Sequence, residues 1–158
     1  MIIIQLVLFC AIFITMVRIS VIGGAKNALY FYPKAYQEIA YDRGMADRKE
    51  IQNKRKRFMI PFMLVMFAAL LLIVGLWIKP EGFIQAYLYN VLFLEVMNWF
   101  DGIVIDKIWV GLSPFWKITG MEDVPYVQSW MDVLKKRGLL TVIFLVLALV
   151  PAGICMVF

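Results

Sequence analysis

The chain has 158 residues, of which 63% are hydrophobic, and it carries a formal net charge of +5. Only about half of the residues of an ordinary soluble domain are apolar. The composition of this chain therefore excludes an ordinary soluble domain. The chain has no histidine, and its two cysteines, Cys10 and Cys155, are far apart in the sequence. These features exclude histidine-ligated metal or haem sites, histidine-activated nucleophiles and CxxC redox motifs.

Four apolar segments are each long enough to cross a bilayer. They cover about residues 2–24, 58–78, 82–105 and 139–158, and the second and fourth contain no charged residue. A hydrocarbon core of about 30 Å takes about 20 helical residues. The sequence therefore predicts an all-α, polytopic membrane protein with one transmembrane domain, residues 1–158, of four helices. No basic residue precedes the first apolar run, so we expect a retained helix there and not a cleaved signal.

Lysine and arginine are distributed unevenly over the three connections between these segments. The first connection, residues 25–57, has nine; the second, residues 79–81, has one; and the third, residues 106–137, has five. Basic residues in short connections favour the cytoplasmic side of a membrane. We therefore expect interfacial cytoplasmic segments in the first and third connections, with both termini outside. The basic charge also predicts contact with anionic lipid headgroups and no nucleic-acid partner.

The first connection is predicted to form an interfacial helical hairpin. Pro33 is suited to the start of a short helix, which places Tyr36, Ile39 and Ala40 on one face. A second, charged helix is predicted from Asp47 into the second apolar segment. The hairpin either fixes the depth of the bundle or provides a docking surface for anionic lipid or a membrane partner.

The third apolar segment carries the polar residues on which a function is most readily based. Glu95, Asn98 and Asp106 fall on one broad stripe of the helix together with Trp109, and Asp101 lies at its edge. Ionisable groups at this depth are costly, so they are expected to face the bundle and to have partners.

Arg18 is the partner that the sequence suggests for these carboxylates. It lies near the inner end of the first helix, at a depth similar to that of Asn98 and Asp101. We therefore predict an ion pair between Arg18 and Asp101 or Glu95. The pair has two open interpretations: it only locks helix packing, or it belongs to a binding site.

The third connection is too aromatic for a free loop and is expected to lie against the mouth of the bundle. Its most polar part contains Glu122 and Asp123, followed by Tyr126. No cofactor motif is evident, but four carboxylates at one mouth would suit a divalent cation. The candidate ligand-binding residues are Arg18, Glu95, Asn98, Asp101, Asp106, Trp109, Glu122, Asp123 and Tyr126.

A spaced set of residues extends over most of the chain. It comprises Tyr32-Pro33-Lys34, Asn98, Asp101, Asp106, Trp109, Pro114, Gly120, Glu122 and Tyr126. This set resembles small four-helix bacterial membrane proteins without an assigned activity. The resemblance implies a setting in the bacterial inner membrane and adds no functional residue.

Three functions remain open from the sequence. The first is a small-molecule or ion site in the bundle, as in a carrier, a sensor or an accessory subunit. The second is a membrane enzyme that acts on a lipid headgroup through a carboxylate-bound metal, although no catalytic residue can be named. The third is a structural or regulatory subunit of a membrane complex, with a second copy or another membrane protein as its partner.

The distribution of basic residues generates a test of topology. Single cysteines placed at Lys79 and at Lys54, in a chain without its native cysteines, should react differently with a membrane-impermeant thiol reagent in intact cells. We expect labelling at position 79 and protection at position 54. The reverse pattern would overturn the orientation.

Overall fold

The computed structural model describes residues 1–157, which are helical throughout their regular structure and contain no strand. Four helices are long and apolar enough to cross a membrane, as the sequence predicts: α1 (Ile2–Ser20), α3 (Arg48–Ile78), α4 (Phe83–Leu112) and α5 (Trp130–Cys155). The short helix α2 (Lys34–Asp42) follows Pro33, and 3-10 turns cover Ala25–Phe31 and Pro114–Trp116.

The helices extend beyond the apolar segments that reveal them. Helix α5 begins at Trp130, where the Ser129 hydroxyl accepts a hydrogen bond from the Asp132 amide at 3.1 Å. Lys135 to Arg137 are therefore helical, although the sequence analysis placed them in a connection. Hydropathy detects the part of a helix suited to hydrocarbon, whereas the helix itself begins at its N-cap. Phe158, the last residue of the predicted fourth segment, lies outside the described residues.

The four long helices share one apolar core. Phe9 and Phe13 of α1 are buried in it, as are Val74 of α3 and Phe93 of α4, and Phe9 meets Phe93 edge to face at 5.6 Å. Large apolar side chains also cover the outside of the bundle, such as Leu64 at 65% exposure. An apolar exterior of this kind suits lipid and not water.

The first and third connections pack against each other at one end of the bundle. We call residues 25–47 and 113–129 the cap layer. Its own buried core joins Leu29 and Tyr36 of the first connection to Trp116 and Met121 of the third. The Tyr32 hydroxyl also donates a hydrogen bond to the Trp116 carbonyl at 2.6 Å. The two connections thus form a single folded layer.

Helix α4 changes from α-helical to π-helical geometry over Asp101–Trp109. Such wide turns are rare and frequently occur at functional sites. Gly102 lies in this stretch, and a Cβ atom there would be only 2.9 Å from Nε of Arg137. The absence of a side chain at Gly102 therefore permits α5 to bring its arginine against α4.

Candidate ligand-binding site

A buried arginine on α5 holds the two aspartates of α4. The Arg137 side chain is only 3% exposed, and its Nη1 lies 2.7 Å from Oδ2 of Asp101. Its Nη2 donates to Oδ2 of Asp106 at 2.5 Å, and Lys136 Nζ is 3.4 Å from the same oxygen. One guanidinium thus bridges two carboxylates in a geometry that matches its planar fork.

The π-helical stretch explains how Asp101 and Asp106 reach the same arginine. In an α-helix, residues five apart differ by about 140° around the axis. A turn closed by i→i+5 hydrogen bonds contains more residues, so positions five apart approach the same face. The π-helical backbone of α4 therefore places Asp101 and Asp106, which are five residues apart, on the same side of the helix, where both contact Arg137.

A chain of hydrogen bonds continues this contact along α4 and α5. The buried Asn98 side chain donates to the Arg137 carbonyl at 3.1 Å and to Thr141 Oγ1 at 3.3 Å. The Thr141 hydroxyl in turn donates to Glu95 Oε2 at 2.6 Å. The predicted polar stripe of α4 is thus directed at α5, and much of its hydrogen bonding is used to join the two helices.

The predicted pair between Arg18 and Asp101 or Glu95 is wrong. Arg18 is exposed, and within residues 1–157 it forms no ion pair. Its neighbour Val17 faces the core, and one residue further along a helix turns the side chain by about 100°. The similar depth of Arg18 and Asp101 was therefore not enough to predict a contact between them, because the direction of the side chain also decides which residue it meets.

Sequence reasoning missed Arg137, the residue that pairs instead. The available signal was Ser129-x-x-Asp132, a capping pattern that predicts a helix beginning before the charged residues. Extending α5 back to this cap would have placed Arg137 inside a helix, facing the acidic residues of α4.

A cavity of about 160 Å³ lies beside the two aspartates, lined mainly by α1, α3, α4 and the cap layer and by one residue of α5. Its polar lining comes from Asp101, Asp106, Gln128 and Lys136. Its aromatic and apolar lining comes from Phe13, Val17, Phe31, Tyr32, Pro33, Phe58, Met59, Phe62, Ile105, Val110, Trp116 and Tyr126. The structure therefore brings three of the candidate residues, Asp101, Asp106 and Tyr126, to one space.

The other candidates lie outside that lining. Glu95 and Asn98 belong to the α4–α5 contact, and Trp109 packs edge to face on Trp116 with the ring centres 5.2 Å apart. Glu122 accepts hydrogen bonds from the Gly120 amide at 3.0 Å, and backbone hydrogen bonds lower its pKa. Asp123 lies in the same segment of the cap layer.

Asp123 is engaged by Arg43 of the first connection. The Arg43 guanidinium donates to both carboxylate oxygens, at 2.9 and 2.6 Å, and to the Gly120 carbonyl at 2.9 Å. Asp123 and Asp106 are thus each bound to a different arginine. Residues 1–157 also contain no group of three or more histidine, cysteine or acidic side chains that could hold a metal ion. The divalent cation stays a prediction that the structure does not test.

Removal of the buried guanidinium should strongly destabilise the bundle. We expect Arg137→Met to lower the free energy of unfolding in detergent by about 3–5 kcal/mol, because two carboxylates then lose their buried counterion. The triple variant with Asp101→Asn and Asp106→Asn should recover much of this loss.

Arg18→Met is the matched control for that experiment. An exposed arginine without an ion pair should change the free energy of unfolding by no more than about 0.5 kcal/mol. An equal loss in the Arg18 and Arg137 variants would contradict the assignment of Arg137 as the central partner.

The contact between Arg43 and Asp123 predicts an acid-sensitive cap layer. The hydrogen bonds from Arg43 lower the pKa of Asp123 from 3.8 to about 2. The contact therefore contributes stability above pH 3.8, and this contribution is lost as the pH falls to about 2. Carboxyl NMR should show the low midpoint in the parent and a midpoint near the ordinary value in Arg43→Gln; equal midpoints would refute the contact.

Comparison with protein-family models, with curated proteins and with solved structures finds no match to this chain.

Proposed function

We propose that the protein is a multi-pass protein of the bacterial inner membrane that binds a small molecule or ion inside its bundle, as a carrier, a sensor or an accessory subunit. The observation that supports this is the cavity in which Asp101 and Asp106 meet aromatic walls. Sites for small molecules are typically concave and largely apolar, with a few polar groups that orient the ligand. The cavity has this composition.

The size of the cavity limits its occupant. An apolar cavity of about 150 Å³ can hold a molecule such as benzene. The present volume of about 160 Å³ therefore suits a ligand, or one end of a ligand, of about the size of a single aromatic ring. Larger molecules would need a part that extends out of the cavity.

The basic residues support an orientation in which the cap layer and the cavity lie at the cytoplasmic side. Lys49, Arg55, Lys56 and Arg57 at the start of α3 are exposed and form no ion pair within residues 1–157. Exposed cations beside an apolar span are attracted to anionic lipid headgroups. In this orientation, a ligand enters from the cytoplasm or from the inner leaflet.

A structural subunit of a membrane complex is the second candidate. It is favoured by the α4–α5 contact, in which Arg137, Asn98 and Thr141 are paired within the chain. Such pairing serves helix packing whether or not a ligand binds. It does not account for the cavity, whose apolar walls come largely from α1, α3 and the cap layer.

The proposed function predicts that filling the cavity abolishes binding. Met59 lines the cavity, whereas Met63, one turn further along α3, is 63% exposed on the outside of the bundle. With benzyl alcohol as the probe, calorimetry in a non-ionic detergent should show saturable binding to the parent and to Met63→Trp. Met59→Trp should weaken it by about tenfold or more, because the indole occupies the space.

Two results would contradict the proposal. One is the absence of saturable binding to the parent both by benzyl alcohol and by its charged analogue benzylammonium. The other is equal binding by the two tryptophan variants, which would place the probe on the outer surface of the bundle.

A further inference from the structure

The aspartates on the cavity wall have acceptor oxygens that the protein leaves unused. Asp101 and Asp106 each contact Arg137 through Oδ2. Within residues 1–157, no hydrogen bond is donated to Oδ1 of either residue. Both side chains line the cavity and remain accessible, at 25% and 15% exposure. A ligand in the cavity therefore meets carboxylate oxygens that can accept hydrogen bonds from it.

Aromatic rings are grouped on the wall of the same cavity. The ring centre of Tyr32 lies 6.0 Å from that of Trp116 and 5.9 Å from that of Tyr126. All three residues belong to the cavity lining. The faces of such rings attract cations, and grouped rings recognise organic ammonium ions. The aromatic walls and the free carboxylate oxygens thus favour the same chemical class.

We propose that the ligand is a compact organic ammonium ion. Its nitrogen donates to, or lies against, the free oxygens of Asp101 and Asp106, and its carbon substituents contact Tyr32, Trp116 and Tyr126. This assignment rests on the proposed function and narrows it to one ligand class. An anion in the same cavity would lie against two carboxylates.

The neighbouring cations are compatible with this ligand. Arg137 binds Oδ2 of both carboxylates and is not part of the cavity lining. Lys136 is in the lining, and its ammonium group lies 3.4 Å from Oδ2 of Asp106, an oxygen that Arg137 already binds. The two positive and two negative side chains balance formally, so a single added cation is attracted mainly by the local oxygens and rings.

The first experiment compares benzylammonium with benzyl alcohol, two probes of nearly the same size and shape. Calorimetry with the full chain in a non-ionic detergent should give a dissociation constant at least about tenfold lower for benzylammonium. Equal or tighter binding of benzyl alcohol would overturn the ammonium assignment while leaving the proposed function standing. Absence of binding by both probes would overturn the proposed function as well.

Variants at Tyr126 test the aromatic wall without removing a charge. Tyr126→Phe keeps the ring and should bind benzylammonium like the parent. Tyr126→Leu should weaken benzylammonium by about two- to thirtyfold, the range expected for one lost cation–π contact, and weaken benzyl alcohol much less. An equal loss for both probes would show that the ring supplies packing only and would contradict the proposal.

Two bilayer compositions distinguish the sources of the ammonium group. Nanodiscs with a fixed fraction of phosphatidylglycerol are completed with either phosphatidylethanolamine or neutral galactosyl diacylglycerol, so that the surface charge is the same. Weaker benzylammonium binding in the phosphatidylethanolamine discs identifies a lipid headgroup as the competitor. Equal binding in both discs identifies a free amine, and loss of binding in both discs would contradict the assignment.

Discussion

The arrangement of α4 and α5 depends on the buried guanidinium of Arg137. A charge in this position is tolerated only with close and well-oriented partners, and Asp101 and Asp106 provide them at 2.7 and 2.5 Å. Several local features serve this contact. The π-helical stretch brings the aspartates to one face, Gly102 leaves room for the arginine, and Asn98 donates to its carbonyl.

The same aspartates separate a packed side of α4 from an open side. Their Oδ2 atoms are bound by Arg137 of α5, whereas most other residues of the cavity lining come from α1, α3 and the cap layer. A carboxylate has two oxygens and several lone pairs, so one group can hold a neighbouring helix and also accept from a ligand. A role in packing and a role in binding are therefore compatible at these residues.

The sequence was sufficient for the features that depend on composition and on local signals. The four apolar helices follow from long apolar segments, and the α2 helix follows from Pro33. The partner of Asp101 did not follow, because apolar residues cover both the inside and the outside of the bundle. The spacing of apolar residues along α1 therefore does not show whether Arg18 points into the bundle or out of it. The wide turn at Asp101–Trp109 did not follow either, because the apolar pattern of the third segment is the same for an α-helix and for a helix with a local wide turn.

Under the proposed ligand assignment, the shared carboxylates would link occupancy of the cavity to the packing of α5. An ammonium ion at the Oδ1 atoms would draw on the same negative charge that holds Arg137 through the Oδ2 atoms. If binding of the ligand weakens the contact between Arg137 and the aspartates, then breaking that contact must strengthen binding of the ligand by the same free energy. Because Trp109 near the end of α4 packs on Trp116 of the cap layer, such a shift would have a path to the cytoplasmic face in the proposed orientation. A coupling of this kind distinguishes a sensor or carrier from a bundle whose polar residues only hold its helices together.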